Sequence, residues 1–89
     1  MKNEILKVSS KSNPNLIAGA IAGQIKENNR SELKAVGAGA INQAMKAIII
    51  AKGFLVPIGI DIVCIPAFTE VKLDNEILTG MKLIVKVEN

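Results

Sequence analysis

The sequence predicts a two-layer α/β sandwich in which a four-stranded mixed sheet carries two helices on one face. Short segments of alternating or continuous apolar character, typical of strands, are separated by two longer segments in which apolar residues recur every three to four positions, typical of helices. Their order is strand–helix–strand–helix–strand–strand. Because strand–helix–strand crossovers are right-handed, both helices are expected on the same face of the sheet. At 89 residues, the chain is expected to form a single domain over positions 1–89.

The first strand and the first helix are marked by alternation and by a helix cap. Residues 4–10 (EILKVSS) alternate apolar and polar side chains and predict a strand. Asn13 is a favoured N-cap, and Pro14 suits the first helical turn, where its missing N–H costs nothing. The buried stripe of this helix is predicted to be Ile17, Ile21 and Ile25. Gly19 and Gly23 keep the helix thin and predict close packing against a neighbouring helix or the sheet.

The second strand and the second helix follow in residues 32–53. The segment ELKAVGA predicts a strand, and a helix is predicted from about Gly39 to Lys52, with Gly53 ending it. The helix face toward the sheet is predicted to hold Ile41, Ala44, Met45, Ile48 and Ala51. Ile50 is predicted to point away from the core, and Ile49 to lie on the flank. Since these apolar side chains adjoin a basic, amide-bearing face, we interpret Ile49 and Ile50 as a homodimer contact.

Two further strands complete the pattern. Residues 60–68 (IDIVCIPAF) are apolar on both faces, which is typical of a strand in the interior of a sheet. Residues 73–77 (LDNEI) have the chemistry of a turn. Residues 80–88 (GMKLIVKVE) alternate, so the last strand is predicted to have one solvent-exposed face.

The composition argues against catalysis. The chain has no histidine, which removes Ser-His and Cys-His nucleophile pairs and zinc sites of the usual ligand mix. Cys64 is the single cysteine, so an internal disulfide is excluded, and its apolar neighbours predict a small buried hydrophobe with a raised pKa. We therefore expect a non-enzymatic protein with no cofactor, no metal site and no small-molecule substrate.

The glycines that open the second helix are compatible with a tight turn. A dinucleotide fingerprint needs a third glycine after Gly37-Ala38-Gly39, and Asn42 stands there instead. A P-loop needs Gly-Lys-Ser/Thr, which is absent. A nucleotide-binding enzyme is accordingly the least favoured of three hypotheses, and a thermal-shift screen with phosphate compounds tests it.

The charge distribution favours a polyanionic partner. The net charge is +3, but residues 1–60 carry +5 and residues 61–89 carry −2. Acidic residues are absent from the windows 5–26 and 33–60. Such a basic bias on a small domain is typical of nucleic-acid binding. Tyr and Trp are absent, and Phe54 and Phe68 are expected in the core, so contact through backbone phosphates without strong sequence preference is predicted.

The expected location is the cytoplasm. No apolar run approaches the length of about 18 residues that a membrane span needs, and no basic-then-apolar leader opens the chain. We therefore expect neither a membrane partner nor secretion.

Three stretches resemble one bacterial family. LKVSSKSNPNLIAGAIAG (6–23), VGAGAINQAMKAIIIAKGF (36–54) and IDIVCIPAFTE with MKLIVKV (60–70 and 81–87) are together similar to the stage V sporulation protein S family over nearly the whole chain. That family resembles the Alba proteins in fold and in forming dimers partly through the second helix. The resemblance implies a bacterial regulatory protein that affects spore development and binds DNA or RNA.

The resemblance also implies a binding site. Lys11 matches the loop lysine that follows the first strand in Alba proteins. At the start of the second helix, where those proteins often carry arginines and a lysine, the alignment places Gly37, Gly39 and Gln43. A candidate nucleic-acid site is then formed by Lys11, Asn42, Gln43 and Lys46. The hairpin at 69–80 is expected to be short and is more acidic than basic, so long arms that grip DNA are not expected.

A protein–protein adaptor on an Alba-like scaffold is the alternative function. It is motivated by the basic positions that this chain lacks and by the apolar Ile50 on the predicted outer face of the second helix. It predicts that a change at Ile50 disrupts assembly while changes at the lysines have little effect.

Overall fold

One mixed sheet and two helices make up the structure, a computed structural model that describes residues 4–88. The sheet has the strand order β1-β2-β4-β3, with β1 parallel to β2 and with β4 antiparallel to both of its neighbours. The elements are β1 (Leu6–Val8), α1 (Pro14–Asn28), β2 (Arg30–Ala35), α2 (Ala38–Leu55), β3 (Ile62–Leu73) and β4 (Glu76–Val87). Both helices pack on the same face of the sheet, so the predicted two-layer α/β fold is confirmed.

The core lies between the helices and the helix-facing side of β2 and β4. Leu33 and Val85 are fully buried on the sheet, and Ile21 and Ile25 are fully buried on α1. Ser31 is the one buried polar residue among those described, and its hydroxyl donates a hydrogen bond to Oε1 of Gln24. The Gln24 amide in turn donates to the main-chain oxygen of Glu4 at 2.8 Å. The core is therefore aliphatic, and the side chain of its buried serine is satisfied.

Helix α1 is capped at both ends. The side chain of Asn13 accepts a hydrogen bond from the amide of Asn15 at 2.9 Å, and Asn29 closes the helix with φ 62. The expected close packing of Gly19 and Gly23 is wrong: a Cβ built at either position meets nothing within 4 Å. Both glycines lie on the outer side of α1 because Ala18, Ile21, Ala22 and Ile25 form its buried side.

Helix α2 is longer than predicted. It runs through Gly53 to Leu55, continues as a 3-10 turn over Val56–Ile58, and stops at Gly59, whose φ is 82. Gly53 does not end the helix because Leu55, one half-turn further on, is fully buried and holds the chain to the core. Gly59 is in the left-handed region and donates its N–H to the oxygen of Val56 at 2.9 Å, which makes it the true stop.

The buried face of α2 is rotated from the predicted one. Its buried residues are Ala40, Ala44, Ala47, Ile48, Ala51 and Leu55. Met45, predicted to face the sheet, is 39% exposed, and Ile50, predicted to point away, is partly buried against the core. The reason is that α2 packs against α1 as well as the sheet. The flank that carries Gln43, Ala47 and Ile50 is thereby covered.

By length and composition, α2 meets the criteria for a membrane span. The segment Ala38–Ile58 has 21 residues with a mean hydropathy of 1.3, and 28% of it is buried. The sequence expectation that no segment reaches this length is therefore not met. Core helices satisfy the same criteria, and the alanine side of α2 packs against α1 and the sheet. We describe α2 as a core helix whose outer face is partly apolar.

Strand β3 lies at the edge of the sheet, not in its interior as predicted. Pro66 has no N–H to donate, and an edge strand tolerates that loss. Phe68, expected in the core, is 77% exposed, since the helices pack over β1, β2 and β4 and leave this end of β3 uncovered. Phe54 is also exposed.

Beyond the end of β2, strands β3 and β4 continue as a two-stranded arm. The last partners of β2 and β4 are Ala35 and Met81, whereas β3 and β4 remain paired from Thr69–Gly80 to Leu73–Glu76. At about 3.4 Å per residue the arm extends roughly 17 Å past β2. The arm has the bounds 69–80 that the sequence indicated, and its strands stay in register up to the turn at Asp74 and Asn75. Its acidic character agrees with the sequence.

Candidate nucleic-acid interface

The loop between β1 and α1 is fastened to the first two turns of α2. Within the loop, the amide of Ser9 donates to Oγ of Ser12 at 2.9 Å. Across to the helix, Nε2 of Gln43 donates to the main-chain oxygen of Ser12 at 2.9 Å. A Cβ at Gly39 would lie 3.0 Å from Cβ of Ser10, so the glycine permits this close approach. The loop therefore holds Lys11 beside the start of α2.

The four predicted site residues take different roles in this arrangement. Lys11 and Lys46 are exposed, and Nζ of Lys46 lies 3.4 Å from Oε1 of Gln43. Gln43 uses both ends of its amide, one for the loop and one for Lys46, so it positions the two lysines and is not a free group for a ligand. Asn42 is exposed on the outer face of α2. The structure thus links Lys11, Gln43 and Lys46 through Ser12 and leaves Asn42 beside them.

A groove of about 610 Å³ opens next to this loop. One wall is the loop and the start of α2, including Ser10 and Gly39, and the other contains Leu73 of the arm. Lys7 and Lys34 both line it, and they are direct partners in the register of β1 and β2. No carboxylate is among its lining residues. The groove is accordingly basic.

Sequence reasoning missed Lys7 and Lys34 as site residues. The signal was present in the alternation of LKV and SELKA, where each lysine is the outward neighbour of a buried residue. What the sequence did not provide was the pairing of β1 with β2, which brings the two lysines together.

The start of α2 adds to the positive potential of the groove. Gly37 precedes the helix with φ 91 and ψ 156, a conformation that favours glycine, and no acidic residue lies in the first turn. The first intrahelical hydrogen bond runs from the amide of Ile41 to the oxygen of Gly37 at 3.0 Å. The amides before Ile41 are the unpaired donors of a helix N-terminus and carry its positive dipole end.

The outer face of α2 is apolar at Ile49. This residue is 66% exposed, and Met45 is exposed beside it. The predicted position of Ile49 outside the core agrees with the structure, whereas Ile50 packs against the core. Of the two residues assigned to a homodimer contact, only Ile49 is well exposed.

A second apolar surface lies on the uncovered end of β3. Pro66, Ala67, Phe68 and Met81 line a hollow of about 270 Å³. Phe68 pairs with Met81, which pairs with the buried Ala35, so Phe68 lies on the helix side of the sheet. Sequence reasoning missed this surface because it assigned the strand to the sheet interior.

Two titratable side chains outside the groove have shifted pKa values. Burial raises the pKa of the Cys64 thiol, as the sequence predicts. The hydrogen bond from Lys52, whose Nζ lies 2.9 Å from Oδ1 of Asp61, lowers the pKa of the Asp61 carboxyl. Within residues 4–88, no group of three or more His, Cys, Asp or Glu side chains is arranged to hold a metal ion.

The family model for stage V sporulation protein S (SpoVS) matches residues 4–88 of the 89-residue chain. The chain belongs to the SpoVS family. The match includes β1, both helices and the whole of the arm, so each surface described above lies within the SpoVS domain. The resemblance seen in the three sequence stretches is thereby confirmed, and the chain is a small sporulation-related protein.

Proposed function

We propose that this SpoVS-family protein is a non-enzymatic cytoplasmic regulator that acts as a homodimer and binds nucleic acid through backbone phosphates. The observation that carries the proposal is the grouping of lysines around the β1–α1 loop. Lys7 and Lys34 line the groove, and Lys11 and Lys46 stand on either side of the Ser12–Gln43 hydrogen bond. The groove lining contains no carboxylate to neutralise them.

The mode of binding follows from the side chains that are present. Contacts between lysines and phosphates dominate nucleic-acid affinity and make it depend on salt. Tyr and Trp are absent from the sequence, and Phe68 lines a separate hollow on β3. Base stacking on aromatic side chains is therefore disfavoured, and we propose contact with phosphates and little preference for sequence.

Dimerisation would double the number of lysines available to one nucleic-acid molecule. The exposed side chain of Ile49, with Met45 beside it, supports a contact through the outer face of α2. An apolar side chain at the centre of such a contact is buried by association, which favours the dimer.

The proposal is tested by fluorescence anisotropy with labelled duplex DNA and duplex RNA at 50 and about 200 mM salt. The double variant Lys11→Glu, Lys46→Glu should weaken binding strongly and flatten its salt dependence. The double variant Lys26→Glu, Lys72→Glu is the control, because it makes the same charge change on α1 and on the arm at residues that do not line the groove. Absence of salt-sensitive binding by the unmodified protein, or equal effects of the two variants, would contradict the proposal.

A protein–protein adaptor is the second candidate function, favoured by the exposed hollow at Phe68. Under this alternative, Phe68→Ser abolishes recovery of a partner in a pull-down while Lys11→Glu has no effect. The reverse pattern supports the nucleic-acid function.

A further inference from the structure

Three lysines form a row across the sheet on the side that faces away from the helices. Lys7 of β1 is the register partner of Lys34 of β2, and Lys34 is the partner of Lys82 of β4. Their strand neighbours Leu33 and Leu83 are buried under the helices, and successive side chains of a strand point to opposite faces. The three ammonium groups therefore share the open face of the sheet.

The three lysines are not held in ion pairs within residues 4–88. Like charges placed directly opposite each other across strands destabilise a sheet. Among residues 4–88, neither of the two ion pairs that the structure contains includes Lys7, Lys34 or Lys82. Lys34 and Lys82 are only half exposed, so part of each side chain lies along the sheet. Such an arrangement is favourable when an external anion lies on the face.

A second pair of cations lies four residues further along the strands on the same face. Arg30 of β2 is the register partner of Lys86 of β4. Between the pair and the lysine row stands Glu32, which accepts from Arg30 at 3.4 Å. With five cations and one carboxylate, this surface carries +4, whereas the whole chain carries +3. The positive charge of the protein is thus concentrated on one side of the sheet.

We propose that this surface, the lysine face (Lys7, Arg30, Lys34, Lys82 and Lys86), binds the phosphate backbone of a nucleic-acid duplex. The inference rests on the proposed function for the class of ligand, and it adds a surface beyond Lys11 of the loop and Lys46 of α2. Lys7 and Lys34 also line the groove, so the two surfaces are continuous. The negative charge of a phosphate backbone complements the positive charge of the lysine face, which is why we assign this ligand to it.

The shape of the face agrees with a backbone ligand. Neighbouring strands are about 4.8 Å apart, so the row of three lysines spans roughly 10 Å, and the second pair lies about 14 Å away along the strands. Ile65 and Ile84 lie between the two cationic rows as register partners. Neither phenylalanine is on this face: Phe54 is on α2, and Phe68 is on the helix side. Flat contact with phosphates is favoured over base stacking.

A second copy of this chain is a poor occupant of the lysine face. A two-fold contact would place the same surface on itself and set cations against cations. Ile49, the exposed side chain assigned to self-association, lies on α2, on the helix side of the sheet.

The test compares two double variants of the full chain in anisotropy titrations with a labelled 20-bp DNA duplex (about two helical turns) at several salt concentrations. Lys82→Ala, Lys86→Ala removes two cations that belong to the lysine face and not to the loop. Lys26→Ala, Lys72→Ala removes two cations elsewhere. We expect the first variant to bind at least about 10-fold more weakly at low salt and to lower the slope of log K against log salt by about 1.8, since each B-DNA phosphate contact contributes about 0.9. The control should retain the slope of the unmodified protein.

The outcomes separate this inference from the proposed function. If the unmodified protein binds duplex and Lys11→Glu, Lys46→Glu weakens it, but Lys82→Ala, Lys86→Ala behaves like the control, the lysine face is overturned and the proposed function stands. If the unmodified protein shows no salt-sensitive binding to duplex, or binds only vesicles containing phosphatidylserine, both the lysine-face inference and the proposed function are contradicted. Circular dichroism checks that each variant is folded, and Lys82→Gln alone replaces the double variant if it is not.

Discussion

Gln43 and Ser12 are joined by a hydrogen bond of 2.9 Å from the Gln43 amide to the Ser12 main-chain oxygen. This bond crosses 31 positions of sequence and connects the β1–α1 loop with α2. It places the exposed Lys11 on a fixed loop, and the other end of the Gln43 amide meets Lys46. The glutamine that sequence reasoning assigned to ligand contact therefore organises the lysines on either side of it.

Gln43→Ala should loosen the loop and lower stability. Its loss leaves the half-buried oxygen of Ser12 without this donor, and a hydrogen bond of this kind contributes about 0.5–1.5 kcal/mol. For a domain of this size, a loss of about 1 kcal/mol corresponds to a fall in Tm of roughly 4–8 °C, measured by calorimetry. Asn42→Ala is the control, because Asn42 is exposed and should leave Tm unchanged. Equal Tm values for the two variants would show that the bond does not hold the loop.

Lys34→Glu should raise stability while weakening nucleic-acid binding. Lys34 lies between Lys7 and Lys82, so a carboxylate at this position meets a cation on each side. Opposite-charge pairs across strands contribute about 0.2–1 kcal/mol each. We expect Tm to rise by several degrees, and affinity for duplex to fall by about 10-fold or more. Lys72→Glu is the control. Lys72 is on the arm, where its register partner is Ile77, so this change should have little effect on Tm or on affinity for duplex. A fall in both Tm and affinity would indicate that Lys34 stabilises the fold.

Gly80→Ala and Gly19→Ala should have opposite effects on stability. A Cβ at Gly80 would lie 2.9 Å from Cγ2 of Val36 and 3.0 Å from the main-chain oxygen of Ala35, where the arm leaves the sheet. Crowding against backbone costs about 1–3 kcal/mol. A Cβ at Gly19 meets nothing within 4 Å, and alanine is favoured over glycine inside a helix by about 1 kcal/mol. Urea unfolding should show a lower midpoint for the first variant and a higher one for the second.

Local signals in the sequence were enough for the fold. Asn13 and Pro14 marked the start of α1, and alternation marked β4, because caps and strand faces depend on neighbours in sequence. The edge position of β3 could also have been predicted, since Pro66 cannot donate a hydrogen bond within a sheet interior.

The candidate site depended on contacts that periodicity does not encode. Periodicity gives a helix one buried face, but α2 has two neighbours, so Ile50 is covered and Met45 is exposed. In the same way, the row from Lys7 to Lys82 exists only through the register of β1, β2 and β4. Strand pairing is non-local, so neither the sequence pattern nor the modest net charge predicted that cations would be concentrated on one face of the sheet.

Asp61→Asn should destabilise the protein at neutral pH and have little effect in acid. The hydrogen bond from Lys52 lowers the pKa of the Asp61 carboxyl in the folded state. A lowered folded pKa gives stability that is present above the unfolded value of about 3.9 and is lost as the pH falls through the folded value. We therefore expect a lower Tm than that of the unmodified protein at pH 7, and a gap that closes below about pH 4.

Asparagine retains an oxygen that can accept from the amide of Ile62, so the Asp61 comparison isolates the charge. Glu70→Gln, in the exposed part of the arm, is the control and should follow the unmodified protein at both pH values. A gap between Asp61→Asn and the unmodified protein that does not narrow as the pH falls below about 4 would point to packing instead of ionisation.

Adjacent isoleucines of α2 should separate assembly from folding. Ile49 is 66% exposed, so Ile49→Asp places a charge on the outer face and should leave the fold of the monomer intact. Ile50 packs against the core, and Ile50→Asp should lower stability by about 2 kcal/mol or more, because it puts a charged group against apolar neighbours. If α2 forms the homodimer contact, light scattering coupled to gel filtration gives a dimer for the unmodified protein and a folded monomer for Ile49→Asp. A dimer that survives Ile49→Asp would move the contact to another surface, and Phe68→Ser, on the hollow of β3, is then the variant that should dissociate it.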